Sequence, residues 1–241
     1  MKHQKIKRPL LQKTHLPLIL LGAAMTLFGL VSALVWSISS SQGMRGLITP
    51  GQQRVRLANF ESTGGLIASL VFLGLFIWCA VCSRRGPRAA FIVGALSSFG
   101  PILAGRAEGL LFDTLGLVLP AGSVIAGALA TIVFALPMVI FYIILASSGR
   151  VPRGCRWLSL VSVFLVLGTA FFPIVVTVFA FLVKPGDPAV GRMMEIGAQV
   201  IKLRFILPGL SILFLAYISM RFAKKQPPDE AQSILLEGGT K

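Results

Sequence analysis

Histidines, cysteines and carboxylates are few in this sequence, and their scarcity argues against several classes of enzyme. Two histidines occur, His3 and His15, and both lie in the N-terminal segment, so the apolar runs contain no HExxH zinc motif and no haem-ligating histidine. Neither a P-loop nor a GxGxxG motif is present. No aspartate pair within an apolar run is suited to acid–base catalysis. We therefore predict a non-catalytic protein that requires no cofactor.

The cysteines number three, Cys79, Cys82 and Cys155. An odd number without a loop framework argues against a disulfide-stabilised exterior domain. Cys79 and Cys82 have the CxxC spacing of some redox and metal motifs, but they lie inside an apolar run that ends at Arg84 and Arg85. Free cysteine is often a small buried residue without further function. We therefore predict no metal site in this chain.

Charge is sparse as well, which indicates that lipid is the solvent for most of the chain. Charged residues make up 13% of the sequence and hydrophobic residues 55%, whereas a soluble domain carries about 25% charged residues. Several apolar runs reach the ~18 residues that mark a membrane-spanning helix. The runs are continuous and not alternating, which favours helices over a β-barrel. The sequence thus predicts an all-α, polytopic integral membrane protein of the bacterial inner membrane or the plasma membrane.

The apolar runs predict a bundle of about six transmembrane helices. The spans are placed at about residues 16–38, 65–82, 89–104, 121–146, 158–183 and 203–222. Together they form one transmembrane domain, 16–222, between a basic cytoplasmic N-terminal segment, 1–15, and a mobile cytoplasmic tail, 223–241. Pro50-Gly51 is typical of a turn, and QRVRLANF alternates as a short strand would, so the loop over residues 39–64 is expected to cap the bundle.

The distribution of basic residues favours cytoplasmic locations for both termini. In that orientation 15 of the 23 Lys and Arg residues are cytoplasmic and 8 are outside. If residues 89–119 instead form a re-entrant pair, five spans remain and the counts become 13 and 10, which is a weaker bias. The excess of positive charge at the cytoplasmic face predicts contact with anionic lipid or an acidic partner. No nucleic-acid-binding motif accompanies this charge, so we expect no nucleic acid partner.

Three charged residues, Arg106, Glu108 and Asp113, lie in the stretch 99–127, in the middle of an otherwise very apolar protein. Ionisable groups at the bilayer centre cost about 2.5–3.5 kcal/mol each, so they persist there when they are paired or functional. Arg106 and Asp113 are seven residues apart and would share a helix face. Two interpretations stay open: an ordinary loop at the membrane interface, or a contact site for a solute or ion between the third and fourth spans.

Prolines and small residues supply the remaining candidates. Four prolines fall within predicted spans and are candidate hinges, because proline removes a helix hydrogen bond, although it is also simply common in membrane helices: Pro101, Pro137, Pro173 and Pro208. Small residues repeat every four positions at the start of the fourth span, which predicts close helix packing: Gly122, Ala126 and Ala130, with Gly127 on the adjacent row.

Two functions are consistent with these features. The leading prediction is a non-catalytic component or anchor of a membrane protein assembly, in contact with other membrane subunits. It rests on the scarcity of polar groups within the spans, on the small-residue repeat and on the basic cytoplasmic face. The alternative is a small transporter or channel for a solute, with Arg106, Glu108 and Asp113 at its polar site.

Overall fold

A computed structural model of the chain describes residues 9–11, 14–44, 46, 50–99, 122–182, 192, 196, 200 and 203–224. Six α-helices lie within these residues: α1 (Leu16–Met44), α2 (Pro50–Cys82), α3 (Arg85–Leu96), α4 (Gly122–Ser147), α5 (Arg153–Leu182) and α6 (Ile206–Lys224). A single 3-10 turn, Ser97–Phe99, continues α3. No strand occurs in the described ranges, so the all-α prediction is confirmed there.

Four of the helices are long and apolar enough to cross a membrane. The spanning segments are Leu16–Ile38 in α1, Thr63–Cys82 in α2, Arg153–Phe172 in α5 and Ile206–Lys224 in α6, with mean hydropathies between 1.7 and 2.5. A shorter apolar stretch, Ala135–Ser147, lies in α4. These lengths are compatible with an integral membrane protein, because about 20 apolar residues in a helix match a ~30 Å hydrocarbon core.

The predicted third span is shorter as a helix than its apolar run. α3 has 12 residues, which is about 18 Å at 1.5 Å per residue and less than a bilayer core. It begins after Arg84, whose backbone is extended and whose side chain makes no capping hydrogen bond. Residues 97–99 tighten into the 3-10 turn. The rest of the predicted span, 100–104, lies outside the described residues.

The predicted loop and short strand at residues 39–64 are wrong, because most of these residues are helical. α1 continues to Met44 and α2 begins at Pro50, so the residues predicted as a strand are helical. Proline is favoured at the first helical position, because its missing N–H would have no partner there and its φ angle already suits a helix. The following Gln, Arg, Leu and Ala residues are good helix formers. Pro50 therefore starts a helix where a turn was expected.

The six helices form a closed ring in which each helix packs against its neighbours in sequence and α6 returns to α1. Aromatic side chains fill the space between them. Phe28 of α1 contacts Phe72 of α2 and Phe205 before α6, with ring centroids 5.9 and 5.1 Å apart. Phe76 of α2 meets Phe141 of α4 at 6.0 Å. Such edge-to-face pairs each add about 0.5–1.5 kcal/mol beyond burial of their area.

The ring closes where α1 and α6 approach backbone to backbone. A Cβ atom built on Gly209 of α6 would lie 2.5 Å from Oγ1 of Thr26 and 2.9 Å from the carbonyl oxygen of Gly22, both in α1. One turn further along α1, a Cβ on Gly29 would lie 2.9 Å from the backbone nitrogen of Ile206. Small residues spaced in this way allow membrane helices to pack closely. The contact also shows that α1 and α6 are antiparallel.

The start of α1 and the end of α6 lie on the same side of the bundle. His15, just before α1, is 3.0 Å from Ser219 near the end of α6. A Cβ on Gly86, at the start of α3, would lie 3.2 Å from Oγ of Ser148, just after α4. The end of α6 thus lies beside the start of α1, and the end of α4 lies beside the start of α3. Most of the stretch 89–119, for which a re-entrant pair is the alternative, lies outside the described residues.

Candidate functional site at the basic end of the bundle

The α2–α3 turn, the α4–α5 turn and the last turn of α6 lie at one end of the bundle, and basic side chains gather there. We call this surface the basic end and define it by Arg84, Arg88, Arg150, Arg153, Arg156, Arg221 and Lys224. Among the side chains that the structure describes, none belongs to an aspartate or a glutamate. The basic end therefore has no carboxylate counter-charge within the described part of the chain.

Two of these arginines stabilise the turns by binding the carbonyl ends of the preceding helices. Arg88 donates from Nε to the carbonyl oxygen of Ala80 at 3.1 Å and from Nη2 to that of Ser83 at 3.2 Å. Arg156 donates from Nε to the carbonyl oxygen of Ala146 at 3.0 Å. The last carbonyls of a helix lack partners within it and carry partial negative charge, so a guanidinium is favourable there. Arg88 and Arg156 thus have a structural role.

Part of the N-terminal segment is docked across the basic end. The backbone N–H of Leu10 donates to Oγ of Ser219 at 2.9 Å, and Leu11 forms an isolated antiparallel bridge with Ser83. The side chains of Leu10 and Leu11 are 1% and 0% exposed. A hydrophobic pair buried in this way stabilises its position by several kcal/mol, at roughly 1.5–3 kcal/mol per fully buried leucine. The segment therefore belongs to the fold and links α2 to α6.

His15 completes this connection. Its Nε2 lies 3.0 Å from Oγ of Ser219, which already accepts the N–H of Leu10 and so has its own O–H available to donate to a neutral imidazole. Partial burial lowers the pKa of His15 below its ordinary value of 6.5, because a charged imidazolium loses hydration there. The contact thus favours neutral histidine at physiological pH.

A small cavity lies between the N-terminal segment and the two basic turns. Its volume is about 20 Å3, and it is lined by Pro9, Arg84, Gly86, Pro87 and Arg150. A cavity of roughly 10–15 Å3 holds one water-sized group, so this one admits one or two. Two guanidinium-bearing residues on its wall give the cavity a strongly positive character. Its chemistry suits oxygen atoms of a small anion.

A second polar cluster lies deep in the bundle, where α4, α5 and α6 meet. The phenol of Tyr142 is fully buried and donates to the carbonyl oxygen of Pro208 at 3.2 Å. The hydroxyls of Ser162 and Ser211 lie beside it. Ser162 also donates to the carbonyl oxygen of Leu158 at 2.7 Å. All these groups are neutral and hydrogen-bonded, so the cluster joins three helices without burying a charge.

Two further hydroxyls are buried without a hydrogen-bond partner in the described structure. They belong to Ser69 in α2 and Ser98 in the 3-10 turn, which are 3% and 1% exposed. Because α2 and α3 are antiparallel and meet at their connecting turn, these two serines lie at a similar height in the bundle. A buried hydroxyl without a partner costs about 1–3 kcal/mol, so both positions favour an additional polar group.

Four of the eleven predicted site residues lie outside the described residues. These are the polar candidates Arg106, Glu108 and Asp113 and the hinge candidate Pro101. The predicted packing residues lie in the first turns of α4, where the structure describes the helix but not the side chains: Gly122, Ala126, Gly127 and Ala130. Their roles stay predictions.

The other three prolines are placed within helices. Pro137 lies inside α4 and Pro173 inside α5, and the structure assigns helix on both sides of each. Pro208 is the third residue of α6, where the absence of an N–H costs little. A hinge is thus least expected at Pro208, and its carbonyl oxygen contributes instead to the Tyr142 cluster.

The hydroxyl cluster was not predicted as a site from the sequence, whereas for the basic end the sequence predicted positive charge and contact with anionic lipid but no cavity. One signal for the cluster was available, because Ser159, Ser162 and Thr169 recur on one face of the otherwise apolar helix α5. No comparable local signal marks Leu10 and Leu11. No protein-family model matches the chain, and no curated protein or solved structure shows significant similarity to it.

Proposed function

We propose that this chain is a non-catalytic integral membrane protein that serves as a component or anchor of a membrane protein assembly. In this proposal the ring spans the bacterial inner membrane or the plasma membrane as six helices, and the basic end and both termini face the cytoplasm. That orientation agrees with the excess of positive charge expected on cytoplasmic segments. Anionic lipid at the cytoplasmic face and other membrane subunits are its partners.

The observation that carries the proposal is the chemical character of the described interior. Its buried polar residues are serines and threonines, together with the phenol of Tyr142, and no charged side chain is buried there. Acid–base or nucleophilic catalysis normally requires a recognisable pair of titratable groups held within hydrogen-bonding distance. The described interior offers close packing, and its surfaces offer an apolar flank and a cationic end.

The apolar flank is most prominent on α5. Trp157 and Phe164 are 70% and 74% exposed, although both are large hydrophobic residues. They are seven residues apart and thus share one face of the helix, the spacing at which one helix contacts another. In a membrane, such a face meets either lipid or the helix of a partner subunit.

The test is extraction of the native complex in a mild detergent, followed by identification and quantification of the proteins that co-purify. We expect stoichiometric partners, and we expect the double substitution Trp157→Ala/Phe164→Ala to release them. The matched control is Leu70→Ala/Ile77→Ala on α2, which also removes two exposed apolar side chains seven residues apart. A wild-type chain that purifies alone, as a monomer or a homo-oligomer, would contradict the proposal.

Transport of a solute is a second candidate, and the unpartnered hydroxyls of Ser69 and Ser98 favour it. They are polar positions inside the bundle, and Arg106, Glu108 and Asp113 follow Ser98 closely in the chain. The test is uptake of chloride and phosphate into vesicles reconstituted with the protein. Transport predicts that Arg106→Ala abolishes uptake and leaves expression unchanged, whereas uptake equal to that of empty vesicles for the wild-type chain would exclude these solutes.

A further inference from the structure

Three of the arginines in the basic end make their described contacts with groups that carry no formal negative charge. Of its seven basic residues, Arg88 and Arg156 bind helix carbonyls. Arg221 lies over the ring of Tyr217, with 5.3 Å between the guanidinium carbon and the ring centroid. None of these three contacts neutralises a charge. Clustered cations at a membrane surface attract anionic groups, because each one near the surface contributes to binding anionic lipid.

The cavity gives this attraction a specific position. Arg84 lies between α2 and α3, and Arg150 lies between α4 and α5, so the two arginines come from different turns and meet at one small opening. The turns are held close together, since a Cβ on Gly86 would lie only 3.2 Å from Oγ of Ser148. Pro9 forms a third wall, fixed there by the docking of Leu10.

The dimensions and the chemistry of the cavity select a class of ligand. About 20 Å3 accommodates one or two oxygen-sized groups and excludes a sugar or a nucleobase. Arginine presents a planar fork of N–H donors that matches phosphate oxygens in a bidentate manner. A phosphate can insert one or two oxygens between the arginines while the remainder of its molecule stays outside the opening.

We propose that the cavity formed by Pro9, Gly86, Pro87, Arg84 and Arg150 is a binding site for a phosphate group, such as the headgroup phosphate of an anionic lipid or free phosphate. The inference rests on the proposed function in one respect, that the basic end lies at a membrane surface. It adds a position, two ligating residues and a chemical class to the general attraction between positive charge and anionic lipid. The docked N-terminal segment acts as one wall of the site.

The experiment measures binding of dioctanoyl phosphatidylglycerol to the purified full-length chain in a non-ionic detergent, by native mass spectrometry across a lipid titration. Dioctanoylglycerol, which has the same chains and no phosphate, serves as the ligand control. We expect saturable binding of the first and none of the second. Equal binding of both would show that the acyl chains alone are recognised, and would overturn the proposal.

The turn between α4 and α5 supplies a matched pair of variants. Arg150→Gln and Arg153→Gln each remove one exposed arginine from the same turn, but of these two only Arg150 lines the cavity. We expect Arg150→Gln to weaken binding about 5-fold and Arg153→Gln to weaken it less than about 2-fold. The double variant Arg84→Gln/Arg150→Gln should weaken it about 25-fold, if the two contributions add. If Arg84→Gln impairs folding, the Arg150–Arg153 pair still tests the site.

The outcomes separate the possible sources and keep the two proposals distinct. Equal weakening by Arg150→Gln and Arg153→Gln indicates diffuse surface charge and overturns the site, as does an unchanged affinity in both variants. Displacement of the lipid by millimolar inorganic phosphate identifies free phosphate as a ligand, and resistance to it identifies the headgroup. In the mild-detergent extraction, the amount of partner protein that co-purifies with the Arg150→Gln variant shows whether the assembly depends on this site. Lipid binding and partner binding are thus measured independently, so one proposal can fail while the other holds.

Discussion

The contact between α1 and α6 brings the two backbones close together at Gly209, and it can be tested by adding a single methyl group. Gly209→Ala places a Cβ atom 2.5 Å from Oγ1 of Thr26 and 2.6 Å from its backbone nitrogen. Ordinary contacts of a Cβ begin at 3.4 Å, so the backbones must separate by about 0.8 Å at the nitrogen. Backbone atoms cannot rotate away as a flexible side chain can. The strain therefore falls on the packing of α1 against α6.

The size of the effect follows from two opposing contributions. Overpacking of a close contact costs about 1–3 kcal/mol. Replacing glycine by alanine inside a helix returns about 0.5–1 kcal/mol, because alanine loses less backbone entropy on folding. Gly168 in α5 provides the control, since nothing lies within 4 Å of a Cβ built there. Gly168→Ala keeps the favourable contribution alone, so the two variants should differ in free energy of unfolding by about 1–3 kcal/mol.

The assay is reversible unfolding in mixed micelles of increasing SDS fraction, followed by far-ultraviolet circular dichroism. We expect Gly168→Ala to be at least as stable as the wild-type chain and Gly209→Ala to be the less stable of the two variants. A Gly209→Leu variant should lose stability further, because its larger side chain cannot be accommodated at this crossing. Equal stabilities for the two alanine variants would refute the close packing of α1 on α6.

Two further predictions concern hydrogen bonds. Tyr142→Phe should lower the free energy of unfolding by about 0.6 kcal/mol, and by at most about 1.7 kcal/mol, which is the range for hydrogen bonds between membrane helices. The control is Tyr217→Phe, at the exposed second tyrosine, which should change this free energy little. Equal losses in the two variants would contradict the hydrogen bond between Tyr142 and Pro208. Because burial lowers the pKa of His15, the unfolded or undocked segment binds the proton more tightly, so the docked state is fully stable above pH 6.5 and weakens as the pH falls below it. At pH 5.5, amide hydrogen exchange around Leu10 should therefore be faster than the intrinsic pH dependence of exchange predicts. The variant His15→Gln should not show this additional exchange. If the variant still shows it, a group other than His15 causes the effect.

The helices could be predicted from the sequence because lipid imposes a simple requirement. Within the hydrocarbon core, a run of about 20 apolar residues can hydrogen-bond all of its backbone N–H and C=O groups only as a helix or as part of a closed barrel. The boundaries were less predictable where the chain leaves the apolar region. α2 begins at Pro50, fifteen residues before the predicted span at Gly65, because its polar residues favour a helix in the absence of any lipid constraint.

The described candidate site could not be predicted because it depends on contacts between distant segments. Arg84 and Arg150 are separated by two helices, and nothing in the local pattern around either residue indicates the other. Leu10 and Leu11 are two apolar residues in a basic segment, so hydrophobic periodicity does not distinguish them from linker residues. Both are buried in the fold, where Leu10 contacts Ser219 and Leu11 pairs with Ser83, residues that are distant in the chain. The same limit applies to the Tyr142 cluster, whose members come from three helices.

Small residues present an instructive contrast. The repeat at the start of α4 was identified from its spacing, whereas Gly22, Thr26 and Gly29 in α1 have similar spacing and were not. In the structure the α1 residues make the close contact that is described, with Gly209. Spacing of small residues therefore indicates that a helix face can support close approach. It does not indicate which helix lies against it.

The bond between Leu10 and Ser219 has a consequence for biosynthesis. Its two residues are 209 positions apart, and ribosomes add about 5–20 residues per second. The N-terminal segment therefore waits roughly 10–40 s, at those rates, before its acceptor has been synthesised. During that interval the backbone N–H of Leu10 lacks the hydrogen-bond acceptor that it has in the complete fold. Formation of this bond therefore requires that α6 has been synthesised and has packed beside α1, and a chain that ends before Ser219 cannot form it.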